Sequence, residues 1–308
     1  MLAKLHFLLG TSTLLNIIIQ TLADCGWFDI KTPYEKQFHL TRGSSAYMLL
    51  TRGGVFDTYV KFTEYLDFSE EALRSQAAHL SYPDLTARFK GRAVASGVDM
   101  LVSQAVEFQT ISKYNILNEA RDLNCRNGLQ QYFSSMALAR IPSGVPTVKN
   151  VDLPNILRDY FDSHQLRAAA FRWLDQDWLD QSVSSLHSCP QHGDFVMNNI
   201  GINTSGLVLF DWEDFGRTQL PGLDLYSLLL SIGLGGVRRI QDYEGNNSQF
   251  PSFIKKLCLA MNLSEQTFET LIPFYLLTLL YVRREFGQSS LKRIETLLTE
   301  ITFNRTKP

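Results

Sequence analysis

Gln191-His192-Gly193-Asp194-Phe195-Val196-Met197-Asn198-Asn199-Ile200 is the densest run of polar information in this 308-residue chain. Gly206-Leu207-Val208-Leu209-Phe210-Asp211 follows it closely. Asp194 and Asn199 put a carboxylate and an amide on one loop, five residues apart. The apolar run at 206–210 reads as a short strand, and a strand end fixes the Asp211 side chain better than a loop does. Two carboxylates and an amide form an all-oxygen donor set, which suits a hard cation such as magnesium.

Working outward, the chain upstream of this stretch is strand-rich. Phe38-His39-Leu40-Thr41, Ala46 to Thr51 and Thr58 to Phe62 read as antiparallel strands. They are joined by turns at Arg42-Gly43-Ser44-Ser45 and Arg52-Gly53-Gly54. A helix is expected from Ser69 to Leu80, with Ser69 at its start and Glu70 and Glu71 in its first turn. Met100-Leu101-Val102 reads as a further buried strand. Beyond residue 110 the texture turns helical, at Asn115 to Ala139, Leu153 to Phe161, Gln165 to Leu186, and again from about Asp224. The expectation is an α+β chain of two lobes, a β-rich lobe over 1–108 and a helical lobe over 109–308, with a cleft between them. The apolar run Met1 to Ile19 contains Lys4, Thr11, Ser12, Thr13 and Asn16. It reads as a leading helix packed on the first lobe, because a spanning segment needs about 20 nearly unbroken apolar residues.

An acceptor hydroxyl in phosphoryl transfer must be held in line with the γ-phosphate by a carboxylate that can receive its proton. The rest of the task is positioning and charge neutralisation. Kinase catalytic loops use an Asp for the first need and an Asn five positions later for part of the second. His192-Gly193-Asp194 with Asn199, then Asp211-Trp212-Glu213, then Leu223-Asp224-Leu225, resembles the aminoglycoside phosphotransferase and choline kinase family. The resemblance covers residues 191–225 well and the rest in outline. It implies the bilobal protein-kinase-like fold, ATP or GTP as phosphoryl donor, and magnesium. It also implies Asp194 as catalytic base, His192 as an orienting residue beside it, Asn199 and Asp211 as metal ligands, and Asp224 as a brace for the loop. Asp214-Phe215-Gly216 spells the protein-kinase metal motif, but Asp211 is the first polar residue after the strand and is preferred. Glu213 reads equally well as a solvated loop charge.

In the first lobe, Lys61 interrupts the strand Tyr59-Val60-Lys61-Phe62 and is expected to grip the α- and β-phosphates, paired with a helix glutamate. Glu71 is the partner chosen; Glu70 competes for the place, and Gln76 could occupy it. Gly43, Ser44 and Ser45 resemble the family's nucleotide-covering turn. Position alone assigns the adenine-binding hinge to the stretch containing Gln104 and Val106.

Val196 stands where protein kinases commonly carry lysine, and no Ala-Pro-Glu follows Asp211, so small acceptors are favoured over proteins. The family's usual His-Pro-Gly before the Asn is missing. The function expected is transfer of the γ-phosphoryl group to a hydroxyl of a small molecule such as an amino sugar or amino alcohol. The alternatives are a kinase-fold nucleotide-binding or scaffolding module with little turnover, and an atypical protein kinase. Asp175, Asp177, Asp180, Asp242 and Glu244 could attract a cationic acceptor, but read more readily as solvated charges. The net charge of −2 gives no bulk attraction to nucleic acid or anionic membrane. Cysteines at 25, 125, 189 and 258 lack zinc or redox spacing and read as reduced thiols of a cytoplasmic protein, with Cys189 near the key loop a candidate accessible thiol.

Overall fold

The computed structural model describes residues 11–40, 45–113, 116, 123–141, 144–162, 174, 177–234, 250–283, 292 and 296. The chain divides into two units. One comprises the chain to His79 with Thr86–Glu107, and the other Leu80–Leu85 with the chain from Phe108 onward. The class is α+β, as expected.

The first unit is a five-stranded antiparallel sheet in the order β1-β2-β3-β5-β4. Its strands are β1 (Glu35–Leu40), β2 (Ala46–Arg52), β3 (Val55–Thr63), β4 (Phe89–Ala95) and β5 (Val98–Gln104). Gly53 and Gly54 supply the two positive φ angles of the two-residue β2–β3 turn, where Arg52 pairs with Val55. Alternation sends Met48, Leu50, Val60, Phe62, Met100 and Val102 into one core. Helix α1 (Thr11–Asp24) lays Leu14, Ile18, Ile19 and Leu22 into the same core, one apolar stripe at helical spacing. The expected leading helix is therefore present over its described part. No helix among the described residues is long and apolar enough to cross a membrane.

Strand β4 has no counterpart in the sequence reading. Its Phe89-Lys90-Gly91-Arg92 start interleaves charge and glycine, an unpromising strand pattern. It forms an edge strand, with Arg92 paired to Asp99 at 2.7 Å and Lys90 donating to Thr58 Oγ1 at 2.7 Å and Trp27 O at 2.9 Å. Helix α2 (Ser69–Ser81) has the expected position, but the side chain that receives an N–H at its start is Asp67, from Ser69 at 2.8 Å.

The second unit holds a small sheet of β6 (Gln109–Thr110), β7 (Ile200–Asn203) and β8 (Gly206–Leu209), in that order. Around it stand α3 (Leu123–Met136), α4 (Leu153–Asp162), α5 (Asp177–Ser184), α6 (Leu223–Ser231), α7 (Phe250–Ala260) and α8 (Glu265–Val282). α3 lies so close to β8 that a Cβ built on Gly128 would sit 2.3 Å from Leu207 Cβ. α6 is buried from Leu223 to Leu230, and α8 is buried over most of its length. Ser264 caps α8 by accepting the Thr267 N–H at 3.0 Å.

Two substitutions test this packing. Leu22→Ala removes a fully buried side chain from the α1–sheet core and should lower stability by about 2–5 kcal/mol in urea unfolding. Gly128→Ala should cost about 1–3 kcal/mol, because neither helix nor strand can yield without moving backbone.

Candidate active site

The loop bearing Asp194 is hung from a single carboxylate. Asp224, in the first turn of α6 and fully buried, accepts the His192 N–H at 2.7 Å and the Gly193 N–H at 3.0 Å. Its Oδ2 also accepts from Tyr132 Oη at 2.7 Å, and its own N–H donates to Gln191 Oε1 at 3.2 Å. Burial raises the Asp224 carboxyl above the ordinary range, opposed by His192, Tyr132 and the two loop N–H groups. Gly193 takes φ +88°, and a side chain there would drive its Cβ to 2.6 Å from Asp214 Cβ, so both dihedral and space require glycine.

His192 is wholly buried, its ring 4.4 Å from that of Trp212. Nε2 lies 2.8 Å from Phe210 O, and a carbonyl only accepts, so Nε2 carries a proton and donates it there. That bond ties the Asp194 loop to the residue preceding Asp211. Phe195 stacks on Tyr132 at 4.7 Å and meets the His192 ring edge-on at 5.7 Å.

Asp194 itself is half-buried. Asn199, at the end of a 3-10 turn over Met197–Asn199, donates Nδ2 to Asp194 O at 2.9 Å and to Asp194 Oδ2 at 3.1 Å. With the amide nitrogen engaged by Asp194, Oδ1 is the remaining acceptor oxygen of the Asn199 side chain. The hairpin then brings in Asp211. β7 and β8 pair Ile200 with Leu209, and the Phe210 N–H extends the ladder to Asn199 O at 2.9 Å. Asn199 and Asp211 therefore flank the same end of the hairpin, whose other end is closed by Asn203 Oδ1 accepting from Ser205 and Gly206. Asp211 is exposed and takes φ +62°, a left-handed residue that swings the chain off the strand into a second 3-10 turn at Trp212–Asp214. The Asn199 amide oxygen and the Asp211 carboxylate, at one end of the hairpin, are hard oxygen donors of the kind magnesium prefers.

Asp214 is differently placed. Its side chain is buried, ion-paired with Arg217 Nε at 2.9 Å and packed on Gly193. Burial pushes its carboxyl up to about 6, with Arg217 pulling it down and Glu213 and Asp194 adding to the rise. Cys189 is buried and its thiol is pushed up to about 12, so it is no accessible nucleophile.

In the first unit, Lys61 occupies the central strand β3, opposite Tyr47 and Leu101. Its Nζ lies 2.8 and 3.0 Å from the two Glu71 oxygens on α2. Glu70 bonds Arg74 instead, and Gln76 is exposed. Gln104 ends β5 opposite Thr58 and Val106 follows in irregular chain, the Ala105 N–H between them bonding Asp57 O at 3.1 Å. Ser45 precedes β2, while Gly43 and Ser44 lie outside the described residues. So do Asp175, Asp242 and Glu244; Asp177 is exposed at the start of α5, and Asp180 is paired with Arg158 at 2.7 Å.

Three contributors escaped the sequence reading. Tyr132 and Gln191 hold Asp224 and the loop, and Arg283, capping α8, bonds Asp194 Oδ1. Arg283 lies 89 residues from Asp194 with no motif around it, so no local signal marks it.

Residues 145–245 match the model of the phosphotransferase enzyme family. No curated protein sequence matches the chain significantly. Among solved structures, a thermostable mutant of aminoglycoside phosphotransferase APH(4)-Ia, in ternary complex with ADP and hygromycin B, is similar at 10% identity and a TM-score of 0.61, covering 94% of this chain and 98% of that one. The macrolide 2'-phosphotransferase MphH from Brachybacterium faecium is similar at 10% identity and 0.61, covering 92% and 97%. The choline kinase LicA from Streptococcus pneumoniae is similar at 13% identity and 0.59, covering 94% and 98%. The matched stretch holds every motif residue from His192 to Asp224, and the chain carries the kinase-like fold of the aminoglycoside phosphotransferases and choline kinases that its motifs resemble.

Proposed function

We propose that this protein transfers the γ-phosphoryl group of ATP or GTP to a hydroxyl of a small acceptor such as an amino sugar or amino alcohol. The observation that carries the reading is the fixed carboxylate of Asp194, held by Asn199 at the hairpin end that also bears Asp211. In the transfer, Asp194 takes the proton of the acceptor hydroxyl as the acceptor oxygen bonds the γ-phosphorus. The bond from that phosphorus to the bridging oxygen breaks, and the nucleoside diphosphate leaves with the electron pair. Asn199 Oδ1 and the Asp211 carboxylate would hold magnesium, which would supply positive charge to offset that of the phosphates. His192 keeps the loop and the strand end in register through Phe210 O.

Lys61, directed by its ion pair with Glu71, is the candidate for the α- and β-phosphates. Ser45, with Gly43 and Ser44, is the candidate covering turn, and the backbone at Gln104 and Val106 the candidate hinge for the base.

A phosphotransfer screen over amino sugars, amino alcohols and simple sugars, with ATP and GTP as donors, tests the reading. Asp194→Asn should lower transfer by about 10²–10⁴-fold while nucleotide affinity holds; transfer at the wild-type rate would remove Asp194 from the chemical step. Nucleotide binding without transfer to any acceptor would leave the binding-module alternative in its place. In the first unit, Lys61→Met should weaken nucleotide binding about tenfold or more, read by calorimetry, through loss of charged hydrogen bonds. Asp211→Ala should raise the magnesium concentration needed for half-maximal nucleotide binding.

A further inference from the structure

The end of α8 reaches the reacting carboxylate. Arg283 closes that helix, its N–H bonded to Leu279 O at 2.9 Å, so its backbone is held in the last turn. A cation is favoured there by the helix dipole. Its Nη2 bonds Asp194 Oδ1 and also Ser227 Oγ on α6 at 2.9 Å. The ion pair is largely withdrawn from water, with the two side chains 12% and 21% exposed. Asp194 is thus gripped on both oxygens, Oδ1 by Arg283 and Oδ2 by Asn199.

We propose that Arg283 is a positioning residue for phosphoryl transfer: it fixes the rotamer of Asp194, and with it the direction from which the acceptor's proton is received. The proposal rests on the reading of Asp194 as the base. Asp194 lies on irregular chain, where side-chain placement is loose unless neighbours lock it. Asn199 alone holds one oxygen and leaves the carboxylate free to swing about it. A guanidinium anchored at Ser227 and at a helix end removes that freedom. The loop itself offers no cation for the task, since position 196 is valine. Misplacing a reacting group by about 1 Å can cost on the order of 10²-fold in rate.

The test uses the full chain with MgATP, measuring ATP hydrolysis with water as acceptor and transfer to any acceptor found in the screen. Arg283→Met should lower kcat about 10- to 100-fold with the KM for ATP changed less than about threefold. Arg283→Lys, which keeps the charge, should recover a large part of that loss. Ser227→Ala removes the anchor but not the ion pair, and should lower kcat by a smaller factor than Arg283→Met, again with the KM for ATP changed less than about threefold. Unchanged kcat in Arg283→Met overturns the proposal. So does a loss that lysine fails to relieve, or one that Ser227→Ala reproduces together with an equal fall in melting temperature, since either marks a merely structural contact. No turnover by the unsubstituted protein with any probe sinks the parent reading and this one together, whereas normal turnover in Arg283→Met sinks this one alone.

Discussion

A buried carboxylate without partners would be intolerable, and Asp224 is tolerated because the loop carrying Asp194 supplies its partners. Two consecutive backbone N–H groups, at His192 and Gly193, turn inward to meet it, and Tyr132 completes the set. That demand shapes the loop. It brings Gly193 to a positive φ against Asp214, seals His192 inside the second unit, and leaves Asp194 as the next residue emerging toward water. The arrangement is reciprocal: the loop neutralises the cost of the charge, and the charge holds a segment with no regular secondary structure in one conformation.

The rest of the constellation follows from cheap local devices. A hairpin of two four-residue strands carries Asn199 out one arm and Asp211 in on the other. A single histidine proton then bonds the loop to the strand end. In the first unit, the lysine and its glutamate are set by one central strand and the helix that follows it. Each of these is a short-range arrangement on rigid elements, which is how a site gains accuracy without bulk.

What was legible in the sequence follows the same division. Strands with regular alternation, such as Ala46–Arg52, and glycine turns announced themselves, because period-two burial leaves a pattern. The motif stretch from His192 to Asp224 was legible because its side chains recur in a fixed order and spacing, and it falls within the residues that the family model matches. Strand β4 was not, since an edge strand stabilised by Lys90 and Arg92 pairing has little apolar signature. The choice among Glu70, Glu71 and Gln76 could not be made from spacing, because which helical face meets Lys61 depends on the entry geometry at Asp67 and Phe68. Tyr132, Gln191 and Arg283 stayed hidden for a third reason. Their contacts join elements distant in sequence: nothing local marks Tyr132 or Arg283, and Gln191, though it opens the motif run, shows no sign there of its bond to Asp224.

The β7–β8 hairpin has one further consequence. In a ladder, side chains change faces at every step, so dropping one residue from either arm would leave an equally apolar strand but turn Asn199 or Asp211 to the opposite side of the ribbon. Length, more than composition, is what this segment has to conserve. Thr204 and Ser205 at the far end face no such arithmetic, and an insertion there would lengthen the tip while leaving Asn199 and Asp211 where they are.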